Sequence, residues 1–102
     1  FGGDTAYHEL VKSLSGENIE IAIVPIGAYN PWKKNHCNPE EALIMANDHI
    51  GAKYFIPIHT KTFKQGSEPI DEPLTWLNKS VVNYDIKLGL DDIGKTFTLP
   101  NL

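Results

Sequence analysis

The hardest constraint on this chain is the run Asn18-Ile19-Glu20-Ile21-Ala22-Ile23-Val24-Pro25-Ile26, with a shorter echo in Tyr54-Phe55-Ile56-Pro57-Ile58. Ile19, Ile21 and Ile23 alternate with Glu20 and Ala22 before the run becomes wholly apolar. That pattern predicts a strand buried mostly on both faces, as in sheets covered by helices. Pro25 cannot donate to a ladder and marks where the strand stops, and Gly27 permits a sharp exit. The second run predicts another buried strand, which delivers His59 at its C-terminal end.

Helix signals fall around these strands. Asn38-Pro39-Glu40-Glu41 is a strong helix start: Asn38 suits the N-cap, Pro39 the first helical position, and the two carboxylates the positive helix end. Leu43, Ile44, Asn47 and Ile50 mark one face, and Gly51 is the expected C-cap. A further helix is predicted from about Glu72 to Tyr84, with Pro73 in its first turn and Leu74, Leu77 and Val81 on one stripe. Thr5 to Leu14 reads as a short helix with Leu10, Val11 and Leu14 inward and Gly16 as its stop. Thr60 to Asp71 reads as a polar loop, and Lys95 to Leu99 as a short terminal strand. Three short strands alternating with helices define an α/β layer with parallel neighbours. Three strands make a poor free-standing sheet. The chain also opens on the turn Phe1-Gly2-Gly3-Asp4 rather than on Met. Both features lead us to expect a fragment, whether truncated, clipped, or one chain of a split protein.

Charge and composition exclude several function classes. Acidic residues outnumber basic ones by 13 to 9, and no basic run exceeds Lys33-Lys34. A nucleic-acid-binding surface would want a basic patch, so no nucleic-acid partner is expected. No apolar stretch is long enough to span a bilayer, and no signal-peptide pattern opens the chain. Cys37 is the single cysteine. Neither an internal disulfide nor a cysteine-based zinc site can form, which favours a reducing compartment. The expected location is cytoplasmic or membrane-peripheral.

Three short constellations could carry chemistry. Asp4 follows two glycines at a chain turn, where its carboxylate could ligate a metal or, more commonly, cap the helix that follows. His59 ends a buried strand, at the rim where α/β folds hold ligands, although a hydrogen-bonded rim histidine is the commoner case. His36 lies in the loop before the well-capped helix, either as a general acid/base or substrate contact, or as a surface histidine.

Gly3-Asp4-Thr5, Pro25-Ile26-Gly27-Ala28-Tyr29, His36-Cys37-Asn38-Pro39-Glu40-Glu41-Ala42 and Ile56-Pro57-Ile58-His59, in that order, resemble the C-terminal half of the metallo-β-lactamase superfamily. Within it, the branch of N-acyl-phosphatidylethanolamine-hydrolysing phospholipase D and its bacterial relatives is the most similar. The resemblance spans about Phe1 to Val82. It implies an αββα sandwich of two similar halves, with residues 1–102 as the C-terminal one, and paired divalent metals, usually zinc, at one end. The family's bridging aspartate matches Asp4 and its last ligand histidine matches His59. The active-site histidine before the Pro-Glu-Glu-Ala helix matches His36. The implied activity is metal-dependent hydrolysis of a phosphodiester, phospholipase D-like, or of a related ester or lactone, in a small-molecule or lipid substrate.

The family's His-x-His-x-Asp-His motif is absent here, as is its separate metal-ligating histidine. With two donors, the chain alone is expected to bind metal weakly or not at all. Its expected partner is the missing N-terminal half or a second copy of itself. Where the branch often has Trp-Gly-Thr-Phe after the last ligand, this chain has Thr60-Lys61-Thr62-Phe63. His8 and His49 match no family motif, and His49 is expected as a solvent-facing residue near a helix C-terminus. Two other readings remain: a metal-free binding or structural half-domain, and a subunit that completes its site with a partner chain.

Overall fold

The computed structural model describes residues 1–100. A three-stranded parallel sheet, ordered β1-β2-β3, is built from Ile21–Pro25 (β1), Tyr54–Ile58 (β2) and Lys87–Leu88 (β3). Between the strands run α1, Pro39–Leu43, continued by a π-helical segment Ile44–Ile50, and α2, Glu72–Ser80, which ends in a 3-10 turn Val81–Asn83. The chain is therefore α/β, as its alternating pattern predicts. No helix among the described residues is long and apolar enough to cross a membrane.

The register of β1 on β2 pairs Ile21 with Tyr54 and Pro25 with Ile58, so both strands end at the same rim. Pairing also explains how two prolines are tolerated. Ile26 N–H donates to Ile58 O and Tyr54 N–H to Glu20 O, which turns the even residues of β1 toward β2. Pro25 faces the outer edge, where Gly2 N–H donates to Ile23 O, so its missing donor costs the ladder nothing. On the other side of β2, Phe55 O accepts from Gly89 N–H, and Lys53 O, just before the strand, accepts from Lys87 N–H. By the same alternation Pro57 presents its missing donor on the β3 side, beyond the last β3 residue. A proline in a central strand thus truncates its neighbour.

The two sheet faces differ. Ala22, Val24 and Phe55 are buried against a core that includes Leu43, Met45 and Leu77. On the opposite face Ile21, Ile23, Tyr54, Ile56 and Ile58 are only half-buried. Burial on both faces, expected from the apolar runs, is thus realised on one.

Helix α1 forms as its sequence dictates. Asn38 Oδ1 accepts from Glu41 N–H, Glu41 returns a bond to Asn38 N–H, and Pro39 occupies the first turn. Gly51 closes the π-helical segment in the left-handed region at φ 76°. The inward residues are Ala42, Leu43, Met45, Ala46 and Ile50, with Ile44 and Asn47 half-exposed. The expected face is therefore partly wrong, because a π-helical turn shifts the side-chain stripe off 3.6 periodicity.

Two further expectations are corrected. Lys95–Leu99 forms no strand; Lys87–Leu88 takes the free edge of β2 instead, and Phe97 lies on the bare sheet face, its ring centroid 5.0 Å from that of Tyr54. Thr5–Leu14 yields only a 3-10 turn over Leu10–Leu14. Val11 packs on the core while Leu10 is 81% exposed, and Ser13 Oγ bonds back to Leu10 O, so one apolar anchor is too few for a full helix.

Cys37 and Tyr84 bind this core to solvent pH. Burial pushes the Cys37 thiol from 9.0 up to about 12, with the Glu41 carboxylate adding to the shift. Burial and a hydrogen bond to Glu40 push the Tyr84 phenol from 10.0 up to about 12. Both groups are raised on folding, so their contribution is fully present below the ordinary thiol value and is lost as pH climbs toward the folded values. Urea unfolding across pH ~7 to ~11 should show stability level to about pH 9 and declining above it. Cys37→Ala should remove the earlier part of that decline and leave the Tyr84 part.

Candidate metal centre

Three chain segments meet where β1 and β2 end. Gly2 N–H is tied to Ile23 O, which sets Asp4 beside the end of β1. The loop leaving β1 carries His36, whose own N–H donates to Trp32 O at 3.1 Å. Its neighbour Cys37 is fully buried and donates Sγ–H to Thr5 O at 3.3 Å, fastening the Asp4 segment to the His36 loop. His59 follows the last residue of β2 directly.

Close backbone approach makes this meeting possible. A Cβ on Gly27 would stand 2.2 Å from His59 O, so only glycine lets the β1 exit pass there. Non-glycine residues sit in the left-handed region at Ala28 (φ 66°), His59 (φ 61°) and Lys61 (φ 64°). Such backbone is held against its own preference by its surroundings, and it concentrates at functional sites.

The holding group at the β1 exit is Glu68. It is 6% exposed, and its two carboxylate oxygens accept from Ala28 N–H and Asn30 N–H, each at 2.9 Å. Charge-assisted bonds of this kind compensate for burying a carboxylate. Ser67 N–H donates to Asn30 O next to it. The stretch expected to be a plain polar loop therefore clasps the loop that carries His36. Glu68 escapes sequence reasoning because a glutamate among Gly, Ser and Pro reads as solvated turn; its only signal is its place beside Pro69, ahead of the α2 start.

All three candidate residues come together. Their ligand atoms lie within 4.8 Å of one another. His36 Nδ1 is 2.9 Å from Asp4 Oδ1, and His59 Nε2 is 3.4 Å from the same oxygen. The two imidazoles stack with centroids 5.1 Å apart and planes 10° from parallel. Side chains of His36 and His59 are 18% and 20% exposed, and Asp4 is 68% exposed. Asp4 makes no helix cap: no helix starts beside it, and its carboxylate faces the two rings. His59 Nδ1 is 3.3 Å from Gly27 O, a contact that suits a protonated Nδ1 and leaves the Nε2 lone pair toward Asp4. His49 stands apart, its Nε2 paired with Tyr7 Oη at 2.9 Å.

The donor set fits a divalent cation. Two imidazoles and a carboxylate suit zinc and similar borderline ions. His36 Nδ1 is buried and close to Asp4 Oδ1, yet the approach makes no satisfactory hydrogen bond. Thr60 Oγ1, next along the chain from His59, is buried without a partner too. Buried polar atoms are rarely left so, and the unpartnered nitrogen beside Asp4 marks a place suited to a further polar or charged species. No family model matches the chain, and no curated protein matches it.

Removing the clasp tests how the site is held. Glu68→Ala leaves the buried Ala28 N–H without its acceptor and should cost about 3 kcal/mol in urea unfolding, given two charge-assisted bonds. The ring resonances of His36 and His59 should shift while that of His49 stays. A loss below about 0.5 kcal/mol would show that the clasp does not hold the loop.

Proposed function

We propose that this chain is the C-terminal part of a metal-dependent hydrolase with the αββα architecture of the metallo-β-lactamase superfamily, acting on a phosphodiester or a related ester or lactone. One observation carries the reading: Asp4, His36 and His59, three residues from three segments, converge at the C-terminal rim of a parallel sheet. The four motifs that resemble that family include all three. Two divalent ions, zinc by donor chemistry, complete the parent's centre, with the other ligands coming from its N-terminal half. When bound, they supply a water acidified toward neutrality and a Lewis acid for the scissile ester or phosphoryl oxygen.

The roles of this chain's own groups follow from their positions. Asp4, on an exposed turn, offers two oxygens and can serve more than one ion. The contact of His59 Nδ1 with Gly27 O orients the ring and keeps Nε2 available. Trp32, 48% exposed, sets its ring edge-on 6.4 Å from that of His36.

The half-buried apolar face formed by Ile21, Ile23, Ile56 and Ile58 favours a partner over a self-sufficient module. That partner is the missing half of the sandwich or, for the chain alone, a second copy of itself. Light scattering should show the isolated chain associating at micromolar concentration; a stable monomer there favours the metal-free single-module reading.

Activity gives the direct test. The full-length parent should hydrolyse a phosphodiester or lactone, lose turnover to a chelator, and regain it with zinc. Asp4→Ala and His59→Ala should each lower kcat/KM by about 1,000-fold or more. The 102-residue chain alone should show no turnover. Chelator-insensitive hydrolysis, or unimpaired variants, would refute the hydrolase reading.

A further inference from the structure

We propose that the two loops leaving β1 and β2, residues 29–38 and 59–67, form one docking surface for an anionic lipid bilayer. Trp32 and Phe63 enter the interfacial layer, and Lys33, Lys34, Lys61 and Lys64 face its acidic headgroups. The inference goes beyond the hydrolase reading, because it rests on charge and exposure rather than on the metal centre.

Charge is spread unevenly over the chain. The two loops hold four of the nine basic residues and none of the thirteen acidic ones, although the net charge is −4. The rim therefore draws anions while the rest of the surface repels them. Sequence order hides the cluster, since no basic run exceeds Lys33-Lys34. Folding joins the loops at their bases: Ser67 N–H donates to Asn30 O, and Glu68 accepts from Asn30 N–H. Lys33, Lys34 and Lys64 are exposed, and among the described residues they form no ion pair. Lys61 has only a 3.9 Å approach to Asp92.

Each loop also sets an aromatic ring among its lysines. Trp32, 48% exposed, precedes Lys33 and Lys34, and Phe63, 70% exposed, stands between Lys61 and Lys64. Ile70, 41% exposed, adds aliphatic surface just beyond the second loop. Aromatic rings with flanking lysines settle at the headgroup level of a bilayer, and lasting attachment takes both an apolar and a basic signal. Every basic residue of the chain is lysine. Lysine is a point charge suited to a diffuse anionic surface, whereas arginine is the residue for reading single phosphates in a nucleic acid. Ile70 likewise offers no ring for a base to stack on. On the hydrolase reading, a bilayer held here lies against the rim where Asp4, His36 and His59 meet, and so brings a lipid substrate to them.

Vesicle binding tests this without any turnover. The chain should cosediment with phosphatidylcholine vesicles that contain about one-third phosphatidylserine, and not with phosphatidylcholine alone. Salt at about 1 M, which cuts the screening length to roughly 3 Å, should release it. Lys33→Gln with Lys34→Gln, and Lys61→Gln with Lys64→Gln, should each weaken binding more than about 10-fold, at roughly fivefold per lysine. Lys79→Gln with Lys87→Gln, the same change of charge at exposed positions outside the two loops, should alter it less than about twofold. Trp32→Ala and Phe63→Ala should each weaken it by about 10-fold. In Trp76→Phe, which leaves Trp32 as the one tryptophan, emission should shift to the blue on binding. Far-ultraviolet circular dichroism checks that the variants fold, and the dependence of the wild-type chain on lipid and salt needs no variant. No binding to acidic vesicles, binding indifferent to salt, or equal losses in the Lys79 and Lys87 control would overturn the inference. Saturable binding to single-stranded DNA or polyglutamate in place of vesicles would overturn it as well. Each of these outcomes leaves the hydrolase reading to the chelator test on the parent enzyme.

Discussion

Parallel pairing of β1 with β2 in a register that ends Pro25 beside Ile58 is what the site hangs on. Each strand delivers its exit to the same rim, and the exits can cross because Gly27 has no side chain to meet His59 O. Shift β1 by one residue against β2 and Ala22 and Val24 would leave the core for the half-covered face. The apolar burial that stabilises the sheet and the placement of His59 are therefore one specification. Asp4 depends on the same strand, through the bond from Gly2 to Ile23.

Much of the scaffold was legible because its signals are local. Tyr54–Ile58 is a continuous apolar run, and the strand has those limits. Asn38, Pro39, Glu41 and Gly51 are a helix start and stop written in cap chemistry. What escaped depends on partners distant in sequence. A two-residue strand such as Lys87–Leu88 has no periodicity to detect, and its brevity follows from Pro57 on a different strand. Lys95–Leu99 looks like a strand because it has β-forming residues, but its Phe97 packs on the Tyr54 ring instead of joining a ladder. The left-handed backbone at Ala28 and His59 is invisible in residue type, since neither residue advertises a positive φ.

At the site the same division holds. Asp4, His36 and His59 could be picked out by residue type and position, and their meeting within 4.8 Å required the fold. Capping was the commoner expectation for Asp4; it failed because Leu10–Leu14 forms only a 3-10 turn, leaving no helix end for the carboxylate to serve. Glu68 was read as part of a solvated loop, and burial at 6% with two backbone donors reverses that reading. Its effect reaches the site indirectly, by holding the Ala28 backbone that follows the glycine beneath His59.

The loop from Thr60 to Asp71 divides into two parts with different freedoms. Its later half is fastened by Glu68 and Ser67 to the β1 exit, while Thr62, Phe63, Lys64 and Gln65 are exposed. Insertions and replacements in an exposed span are tolerated when both of its ends are pinned. Residues 62–65 are thus a stretch in which relatives of this protein could diverge freely, changing what approaches the rim while the donors stay where they are. The anchored half acts as a fixed hem, and variation is confined to the fabric outside it.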